Sequence, residues 1–506
     1  MTTDPKMMLI LQSMAPEVLV AVTAFLVMAL DLRSNPRPRV QGLVALVGLL
    51  VAAVATMPDW WDTAATNGSL PLWGGIFVAD PLSVVFRALA CVTGALVLLF
   101  SIDPVDAERE HPGEFFTLVP FVVLGLMLAV STRELLTFFL AFELLSLPLY
   151  VMAAWGKYRR ASAEAGLKYF LTGAISSALM LYGISLIFGS VGTTFFDQIV
   201  ANFEKMAGPP HAFVLGAVMV LAALGFKIAA APFHMWAPDV YQGAPRTSGA
   251  FISTAPKAAM VAVLLRLYWG TLALQGRDFR LVDVFIVLLA AMAILSMFWG
   301  NLVALGQTDI KRLMAYSGIA QIGYTLLGVM AASRSGAGDD GAAAAIYYIV
   351  VYSFANLAAW GVIVLYGWRS GSDRIEDYAG LARRSPFLAF SMLVAFLSLA
   401  GAPPLAGFIG KFYLFRAVWM AQEAWWWLVL IGLVNSVISL YYYFGVLKPV
   451  YFGTPVGDDS PLVVPWKFQV GLVACLLVLV VLGLFPGLTR MTLEAGAAAL
   501  VLPTGP

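Results

Sequence analysis

The stretch LAALGFKIAAAPFHMWAPDVYQGAP, residues 221–245, begins as an apolar helix and is then interrupted by Pro232, Pro238 and Pro245. Proline removes a backbone donor and clashes with the preceding turn, so it breaks a helix. The stretch FLSLAGAPPLAGFIGKFYLF, residues 396–415, is interrupted by two adjacent prolines. In lipid, the backbone groups released by such breaks are tolerated only where protein or a water-filled cavity satisfies them. Both stretches are therefore predicted to be broken helices inside a larger helical membrane protein.

The composition of the whole chain supports a membrane location. Of 506 residues, 61% are hydrophobic and 12% are charged, and the mean hydropathy is +0.87. Soluble domains carry about 25% charged residues. The formal net charge of +1 leaves no basic surface for nucleic acid. These values exclude a soluble enzyme, a nucleic-acid-binding protein and a disordered scaffold, and they predict an all-α polytopic protein in the lipid bilayer.

Apolar runs long enough for a membrane span, about 20 residues, recur along the whole sequence. We predict fourteen spans with approximate limits of 10–31, 40–57, 80–100, 115–131, 134–154, 162–188, 211–245, 249–271, 282–305, 310–331, 342–368, 386–420, 425–447 and 467–486.

The two interrupted spans are the seventh and the twelfth, which lie five spans apart. Because five is an odd number, a repeat displaced by five helices must be inverted, and paired breaks in inverted halves are typical of ion paths at the midplane. We predict one membrane domain over residues 1–506, with a first five-helix repeat at 115–271 (spans 4–8) and a second, inverted repeat at 282–447 (spans 9–13). Residues 1–100 and 467–486 are predicted to supply flanking helices.

Basic residues in the loops predict the orientation. The loops opposite the termini hold sixteen Lys and Arg residues, whereas the loops on the side of the termini hold seven. Because basic loops stay in the cytoplasm, both termini are predicted on the periplasmic side of a bacterial inner (plasma) membrane.

The remaining basic residues lie inside the predicted spans: Arg87, Lys168, Lys227, Lys257, Arg266, Lys411 and Arg416. We expect the four lysines to be deepest, together with a single deep acid, Glu143. A charged lysine at the bilayer centre costs roughly 2.5–3.5 kcal/mol on insertion scales. A buried lysine can exchange its proton near neutral pH, whereas arginine does not release its proton. A lysine whose acid partner can move away is therefore a candidate proton carrier.

Each candidate also has a purely structural interpretation. Glu143 can simply pin two helices together, and the lysines can snorkel toward an interface, most easily Lys168 and Lys257. His234, which follows the first break, can relay protons near neutral pH or serve only as a hydrogen-bonded structural residue. We favour proton transfer because four lysines and a glutamate together carry a large insertion penalty.

The sequence offers no ligand set for a redox group. Its two cysteines, Cys91 and Cys475, are far apart, and of three histidines only His234 lies near a predicted membrane core. These residues exclude an iron–sulfur cluster and a bis-histidine haem. No cofactor and no metal are predicted in this chain.

Three stretches carry a resemblance to a known family: APFHMWAPDVYQGAPRTSGAFISTAPKAA at 231–259, QTDIKRLMAYSGIAQIGY at 307–324 and SLAGAPPLAGFIGKFYLFRA at 398–417. Together with the fourteen spans, they resemble the antiporter-like membrane subunits of respiratory complex I and of multi-subunit sodium/proton antiporters. DVYQGAP and the lysine of the third stretch look most like the subunit N branch of the NADH:quinone oxidoreductases (NDH-1). The chain departs from the family pattern at Arg246 and Gly249, where a less basic, proline-containing stretch is expected.

The resemblance implies roles in proton transfer for individual residues. Glu143 would be the fifth-helix glutamate that pairs with Lys227 in the seventh helix. Lys168 would be the sixth-helix lysine that modulates this pair. Lys257 would relay protons in the eighth helix, and Lys411 would lead to the outward exit.

The resemblance also implies a setting and partners. His234 matches the histidine that follows the seventh-helix break. The implied function is proton translocation driven by electron transfer in other subunits, which would bind NADH and quinone and carry FMN and iron–sulfur clusters. The implied partners are the antiporter-like and small membrane subunits of complex I. Two alternatives stay open: a subunit of a sodium/proton antiporter complex, and a non-conducting membrane scaffold.

Overall fold

The computed structural model describes residues 12–32, 37–66, 68–108, 112–203, 211–267, 280–332, 338–455 and 460–489. This part of the chain is almost entirely helical, apart from a short two-stranded hairpin. Within it, eleven helical segments are long and apolar enough to cross a membrane. The all-α polytopic architecture is confirmed, whereas the number of fourteen spans stays a prediction.

A buried arginine ties the N-terminal helices together. The elements are α1 (Ala15–Asp31), α2 (Pro38–Ala55), α3 (Met57–Thr66), β1 (Leu70–Leu72), β2 (Phe77–Ala79) and α4 (Pro81–Glu108). Arg87 of α4 donates to the Ser13 carbonyl oxygen at 2.6 Å, to Asp59 Oδ2 at 3.1 Å and to the Glu17 carboxylate. Glu17 is buried. The interior therefore holds an ion-paired acid that the sequence interpretation did not single out, and the depth of Glu143 in the membrane stays a prediction.

The next group of helices carries most of the candidate residues. It comprises α5 (Pro112–Ser131), α6 (Leu135–Ala153), α7 (Arg160–Val191), α8 (Phe196–Phe203), α9 (His211–Lys227), α10 (Trp236–Gly243), α11 (Arg246–Ile252) and α12 (Ala255–Leu267). Glu134 caps α6 by accepting hydrogen bonds from the backbone N–H groups of Leu136 and Thr137. Burial alone would raise the pKa of the Glu134 carboxyl, but hydrogen bonds from Thr194, Thr137 and Leu136 outweigh burial and hold this pKa below its usual value.

The last group surrounds a central helix. It comprises α13 (Arg280–Ala304), α14 (Ile310–Ala331), α15 (Gly338–Ser370), α16 (Leu381–Arg384), α17 (Pro386–Ala400), α18 (Ala406–Ala421), α19 (Trp426–Phe452) and α20 (Trp466–Leu484). Every residue in the apolar stretch of α14 is buried, whereas only 33% are buried in those of α7 and α19. Helix α14 therefore lies at the centre of the bundle, and α7 and α19 lie at its perimeter.

The first break lies where the prolines predict it, between α9 and α10. After Lys227 the chain takes a left-handed conformation at Ala229, with φ +58°, and the Ala231–Pro232 bond is cis. The Ala231 N–H donates to Ser296 Oγ of α13 at 2.8 Å. Protein groups therefore satisfy the released backbone, as the membrane interior requires.

The second break lies between α17 and α18, again as predicted. Gly401 follows the last residue of α17 with φ +85°, and the Pro403–Pro404 bond is cis. A Cβ atom at Gly401 would lie 2.9 Å from Lys411 Cδ. Both its conformation and this close approach require glycine.

A further interruption separates α11 from α12, where the sequence predicted one continuous span at 249–271. The hydroxyls of Ser253 and Thr254 accept hydrogen bonds from Asn356 Nδ2 at 2.8 Å and 2.7 Å. Both hydroxyls also donate to the Ala250 carbonyl oxygen, at 3.0 Å and 2.8 Å. Pro256 also lies here and cannot donate to the Ile252 carbonyl oxygen one turn earlier. Side chains that compete for backbone groups weaken the helix further.

The departure from the family pattern at Arg246 and Gly249 is matched by local contacts. Arg246 Nε donates to Asp373 Oδ1 at 2.6 Å. A Cβ atom at Gly249 would lie 2.7 Å from the Trp360 ring. The additional positive charge is therefore neutralised, and the glycine makes room for an aromatic ring.

Candidate functional site

Lys227 is the last residue of α9, and its buried ammonium lies against α6 and α7. Nζ donates to Ser146 Oγ of α6 at 2.8 Å. It lies 5.2 Å, 5.5 Å and 5.4 Å from the ring centroids of Phe142, Tyr150 and Tyr169. Ring faces attract a desolvated cation, and so does the carboxyl-terminal end of a helix. The pocket therefore supports a positive charge on this buried side chain.

Glu143 lies one helical turn before Ser146 on α6 and is half-buried. Its carboxylate accepts a hydrogen bond from Ser177 Oγ of α7. Among the described residues no ion pair joins it to Lys227, so the pairing implied by the family is not a direct contact here. Tyr150 lines the same cleft as Glu143, about 290 Å³ in volume, and its ring also faces Lys227. Ser146 and Tyr150 therefore stand between the two charged groups.

Lys168 does not belong to the buried set, and its depth in the membrane stays a prediction. Its side chain is 43% exposed and forms ion pairs with Glu164 at 2.8 Å and with Asp239 at 2.7 Å. Lys168 lies only two turns from the start of α7 at Arg160. Its long stem lets the ammonium reach acids at the surface, which is the snorkelling alternative considered above.

Lys257 is fully buried near the start of α12. In the described part of the chain, its ammonium has no hydrogen-bond partner. Nζ lies 5.7 Å and 6.0 Å from the ring centroids of Tyr241 and Tyr352. A Cβ atom at Gly318 of α14 would lie only 2.7 Å from Nζ. Two rings and a glycine therefore shape a narrow space for this ammonium.

Lys411 lies in α18, after the second break, and reaches back across it. Its buried ammonium donates to the Ala400 carbonyl oxygen at 2.9 Å and lies 4.4 Å from the ring centroid of Tyr324 on α14. Ala400 is the last residue of α17. The negative end of that helix therefore supports the charge of Lys411.

Neutral polar side chains lie on and around α14, the helix that both Lys257 and Lys411 approach. Gln321 of α14 accepts from the Tyr348 hydroxyl, and its Nε2 donates to Tyr443 Oη at 3.2 Å and to the Leu399 carbonyl oxygen at 2.9 Å. One turn earlier, Ser317 Oγ lies 2.5 Å from Tyr443 Oη. We call Ser317, Gln321, Tyr348 and Tyr443 the α14 polar group.

The sequence interpretation missed the α14 polar group because it selected only lysine, glutamate and histidine residues as candidates. A signal was present, since Ser317, Gln321 and Tyr324 recur in QTDIKRLMAYSGIAQIGY at the spacing of one helix face. The buried hydroxyl of Tyr442, another residue not selected from the sequence, donates to Asn301 Oδ1 at 3.1 Å.

His234 is buried in the turn after the first break, beside Trp299 of α13 at a ring-centroid distance of 5.4 Å. Within the described residues neither of its ring nitrogens has a hydrogen-bond partner. The structure does not connect it to Lys227 by a hydrogen bond, and its relay role stays a prediction.

The chain is similar to known membrane proteins over most of its length. Residues 132–439 match the family "NADH:quinone oxidoreductase/Mrp antiporter, TM". The chain belongs to this family. The matched region contains Glu143, Lys168, Lys227, Lys257, Lys411 and His234. The antiporter-like resemblance read from the three motifs is therefore confirmed.

Individual members of the antiporter-like family resemble the chain over most of its length. NADH-quinone oxidoreductase subunit N of Moorella thermoacetica is 42% identical over 88% of this chain and 93% of the relative. NAD(P)H-quinone oxidoreductase subunit 2 of Nostoc sp. is 40% identical over 87% of this chain and 82% of the relative.

Solved structures with the same fold point to the same family. A chain of respiratory complex I from Thermus thermophilus is 34% identical with a TM-score of 0.74, covering 94% of this chain and 98% of that one. A chain of the Mrp complex from Dietzia sp. has a TM-score of 0.84 at 22% identity over 98% of both chains, which is a likeness of fold alone.

Proposed function

We propose that the chain works as the proton-translocating subunit N of an NADH-quinone oxidoreductase. The relative from Moorella thermoacetica and the complex I chain from Thermus thermophilus support this proposal. Electron transfer would take place in other subunits, which would bind NADH and quinone and hold FMN and iron–sulfur clusters. The partners would be the other antiporter-like and small membrane subunits of complex I, and this chain would be the translocating part of the enzyme.

One observation carries the proposal: three lysines are buried in the protein interior, and each ammonium lies close to at least one aromatic ring. Lys257 and Lys411 contact the same helix, α14, at Gly318 and Tyr324. These two positions are separated by about 9 Å along the helix axis, at 1.5 Å per residue. Gln321 lies between these two positions, and Ser317 directly precedes Gly318.

The proposed mechanism uses repulsion between neighbouring cations. A charge interacts strongly with another charge in an interior of low dielectric constant, so a proton on one lysine disfavours a proton on the next. Glu143 would control the charge of Lys227 through Ser146 and Tyr150. Lys257 would pass the proton along the α14 polar group to Lys411.

The proposal also assigns a role in proton exchange to His234 and a role in proton release to Lys411. His234 would exchange protons beside the first break, and Lys411 would release them on the outward side. Energy would reach this chain from electron transfer elsewhere in the assembly. Lys168 would act from the surface on the Lys227 region.

We further propose the finer architecture read from the sequence. The breaks after α9 and α17 support two inverted repeats at 115–271 and 282–447 within one membrane domain, 1–506, flanked by the helices of 1–100 and 467–486. Fourteen spans and the distribution of basic residues support periplasmic termini in a bacterial inner membrane. Cysteine labelling of each terminus from either side of intact cells would test this topology.

Two substitutions test the function directly. In the assembled complex, Lys227→Ala and Glu143→Ala are expected to abolish or strongly reduce NADH-driven proton pumping in inverted membrane vesicles. Lys157→Ala, which changes an exposed lysine, is the control and is expected to pump normally. Normal pumping by fully assembled Lys227→Ala and Glu143→Ala complexes would contradict the proposal.

The likeness of fold to a chain of the Mrp complex keeps an antiporter subunit as the second candidate. Purification in mild detergent separates the two candidates. Co-purification of flavin and iron–sulfur subunits supports the oxidoreductase, and co-purification of membrane subunits alone supports an antiporter.

A further inference from the structure

The short helix α10 lies between two interruptions of the chain and contacts both halves of the molecule. It follows the break after Lys227 and precedes α11 and α12, which leads to Lys257. A Cβ atom at Gly243 would lie 2.4 Å from the Ala161 carbonyl oxygen of α7, so the two helices pack closely. Helix α10 is therefore in a position to affect both lysines.

Two aromatic residues of α10 contact the surroundings of the two buried lysines. Trp236 stacks on Tyr169 at a centroid distance of 4.5 Å and an angle of 11°, and Tyr169 faces Lys227. The Trp236 indole N–H donates to the Phe226 carbonyl oxygen at 2.9 Å. Five residues further along, Tyr241 faces Lys257. A displacement of α10 would therefore change the surroundings of both ammonium groups.

The outer face of α10 is held by charged groups from both halves of the chain. Asp239 accepts from Lys168 Nζ of α7 through Oδ2 and from an Arg312 Nη atom of α14 through Oδ1, both at 2.7 Å. Gln242 extends this contact by accepting from Arg312 at 3.1 Å and donating to Asp309 Oδ2 at 3.3 Å. One carboxylate thus joins α7, α10 and α14.

We propose that Asp239 is a positioning residue that holds α10 between the two lysine pockets, and that Lys168 acts on proton transfer through Asp239. This inference rests on the proposed function and assigns to Lys168 a route of action that differs from a direct effect of its charge on Lys227 and Glu143. Asp239 does not exchange the translocated proton. It sets the position of Trp236 and Tyr241 through its two ion pairs.

A double-mutant cycle separates the two routes of action. Lys168→Gln, Asp239→Asn and the double variant are compared in assembled complexes by the ratio of protons pumped to NADH oxidised. Each single variant is expected to lower this ratio about threefold to tenfold. The double variant is expected to be no lower than Asp239→Asn alone, because that substitution already removes the contact with Lys168. Lys168→Arg keeps the contact and is expected to retain the ratio.

Two results would overturn the proposal. One is an unchanged ratio in Asp239→Asn together with a lowered ratio in Lys168→Gln. The other is a double variant whose loss is the product of the two single losses. Glu164→Gln is the matched control, because it removes the other acid beside Lys168 and leaves Asp239 intact. Its ratio is expected to equal that of the unchanged complex.

Hydrogen exchange tests the position of α10 without relying on pumping. In Asp239→Asn, amide exchange over 236–243 is expected to rise by roughly fivefold, a factor typical of losing exposed ion pairs. Exchange over 385–400 is expected to stay the same. No change over 236–243 would refute the positioning role, even if Lys227→Ala abolishes pumping. Failure of the proposed function would instead leave the exchange result intact.

Discussion

Each of the two breaks brings a lysine to the end of the preceding helix, but the side chains around the two lysines differ. Lys227 is itself the last residue of α9, and Lys411 reaches back to Ala400, the last residue of α17. Both ammonium groups thus lie at the negative end of the helix that precedes the break. Within the described residues, neither forms an ion pair with a carboxylate.

The difference lies in the groups that surround each charge. Lys227 has three aromatic rings and the Ser146 hydroxyl around it, and Glu143 lies on α6, one turn from Ser146. Lys411 has one ring and a backbone carbonyl, next to the neutral α14 polar group. The first pocket can be controlled by the charge of an acid, whereas the second depends on neutral dipoles. The backbone therefore places both charges, and the side chains decide how each is regulated.

Removing either lysine is expected to have the largest effect. Lys227→Met and Lys411→Met should each lower proton pumping at least about tenfold, because a positioned proton-transfer group contributes a factor of about 10² or more. Arginine keeps the charge without releasing a proton, so Lys411→Arg should fail as well. Pumping is measured in inverted vesicles against NADH oxidation. Full pumping by Lys411→Arg would mean that the second break needs only a fixed charge.

The left-handed residues of the two breaks offer a matched comparison of backbone strain. Gly401→Val should destabilise the second break by about 1–2 kcal/mol for the conformation alone, with an added clash on Lys411. Ala229→Gly should be neutral or slightly stabilising, because glycine relieves the positive φ at that position. Thermal unfolding of the purified complex in detergent measures both. A Gly401→Val variant as stable as Ala229→Gly would contradict the assigned role of Gly401.

A substitution in the α14 polar group beside Lys411 is expected to have the next largest effect on proton pumping. Gln321→Leu removes the partner of Tyr348, Tyr443 and the Leu399 carbonyl oxygen. Leaving such buried groups unpaired costs about 1–3 kcal/mol, so pumping should fall several-fold with little change in NADH oxidation. Gln307→Leu is the control, because Gln307 Nε2 donates to the Val303 carbonyl oxygen near the end of α13. Equal losses of pumping in both variants would show that Gln321 is not part of the proton-transfer route.

Removing the Ser146 hydroxyl beside Lys227 is expected to have the smallest effect on proton pumping. Ser146→Ala removes one hydrogen bond, worth about 1 kcal/mol, while the three rings remain. Pumping should therefore fall by no more than about fivefold, and Ser190→Ala, whose hydroxyl bonds to Leu186 within α7, should be unaffected. A loss as large as that of Lys227→Met would show that the rings contribute little.

The sequence was a good guide where a local rule decides the structure. Proline and glycine fix the two breaks, and the apolar runs fix most helix limits. It was a poor guide where the answer depends on which helix faces which neighbour. Lys168 lies inside an apolar run, yet its stem reaches Asp239 at the surface. Gln321 is uncharged, and only the packing of α15 and α19 against α14 turns it into a connecting residue.

The uneven burial of the helices has a consequence for how the protein is made. Helix α14 is covered entirely by its own chain, whereas α7 and α19 leave most of their apolar stretches uncovered. The part that holds Lys257 and Lys411 is therefore complete before any neighbouring subunit arrives. We expect this interior to fold first and the exposed faces of α7 and α19 to bind neighbouring subunits last.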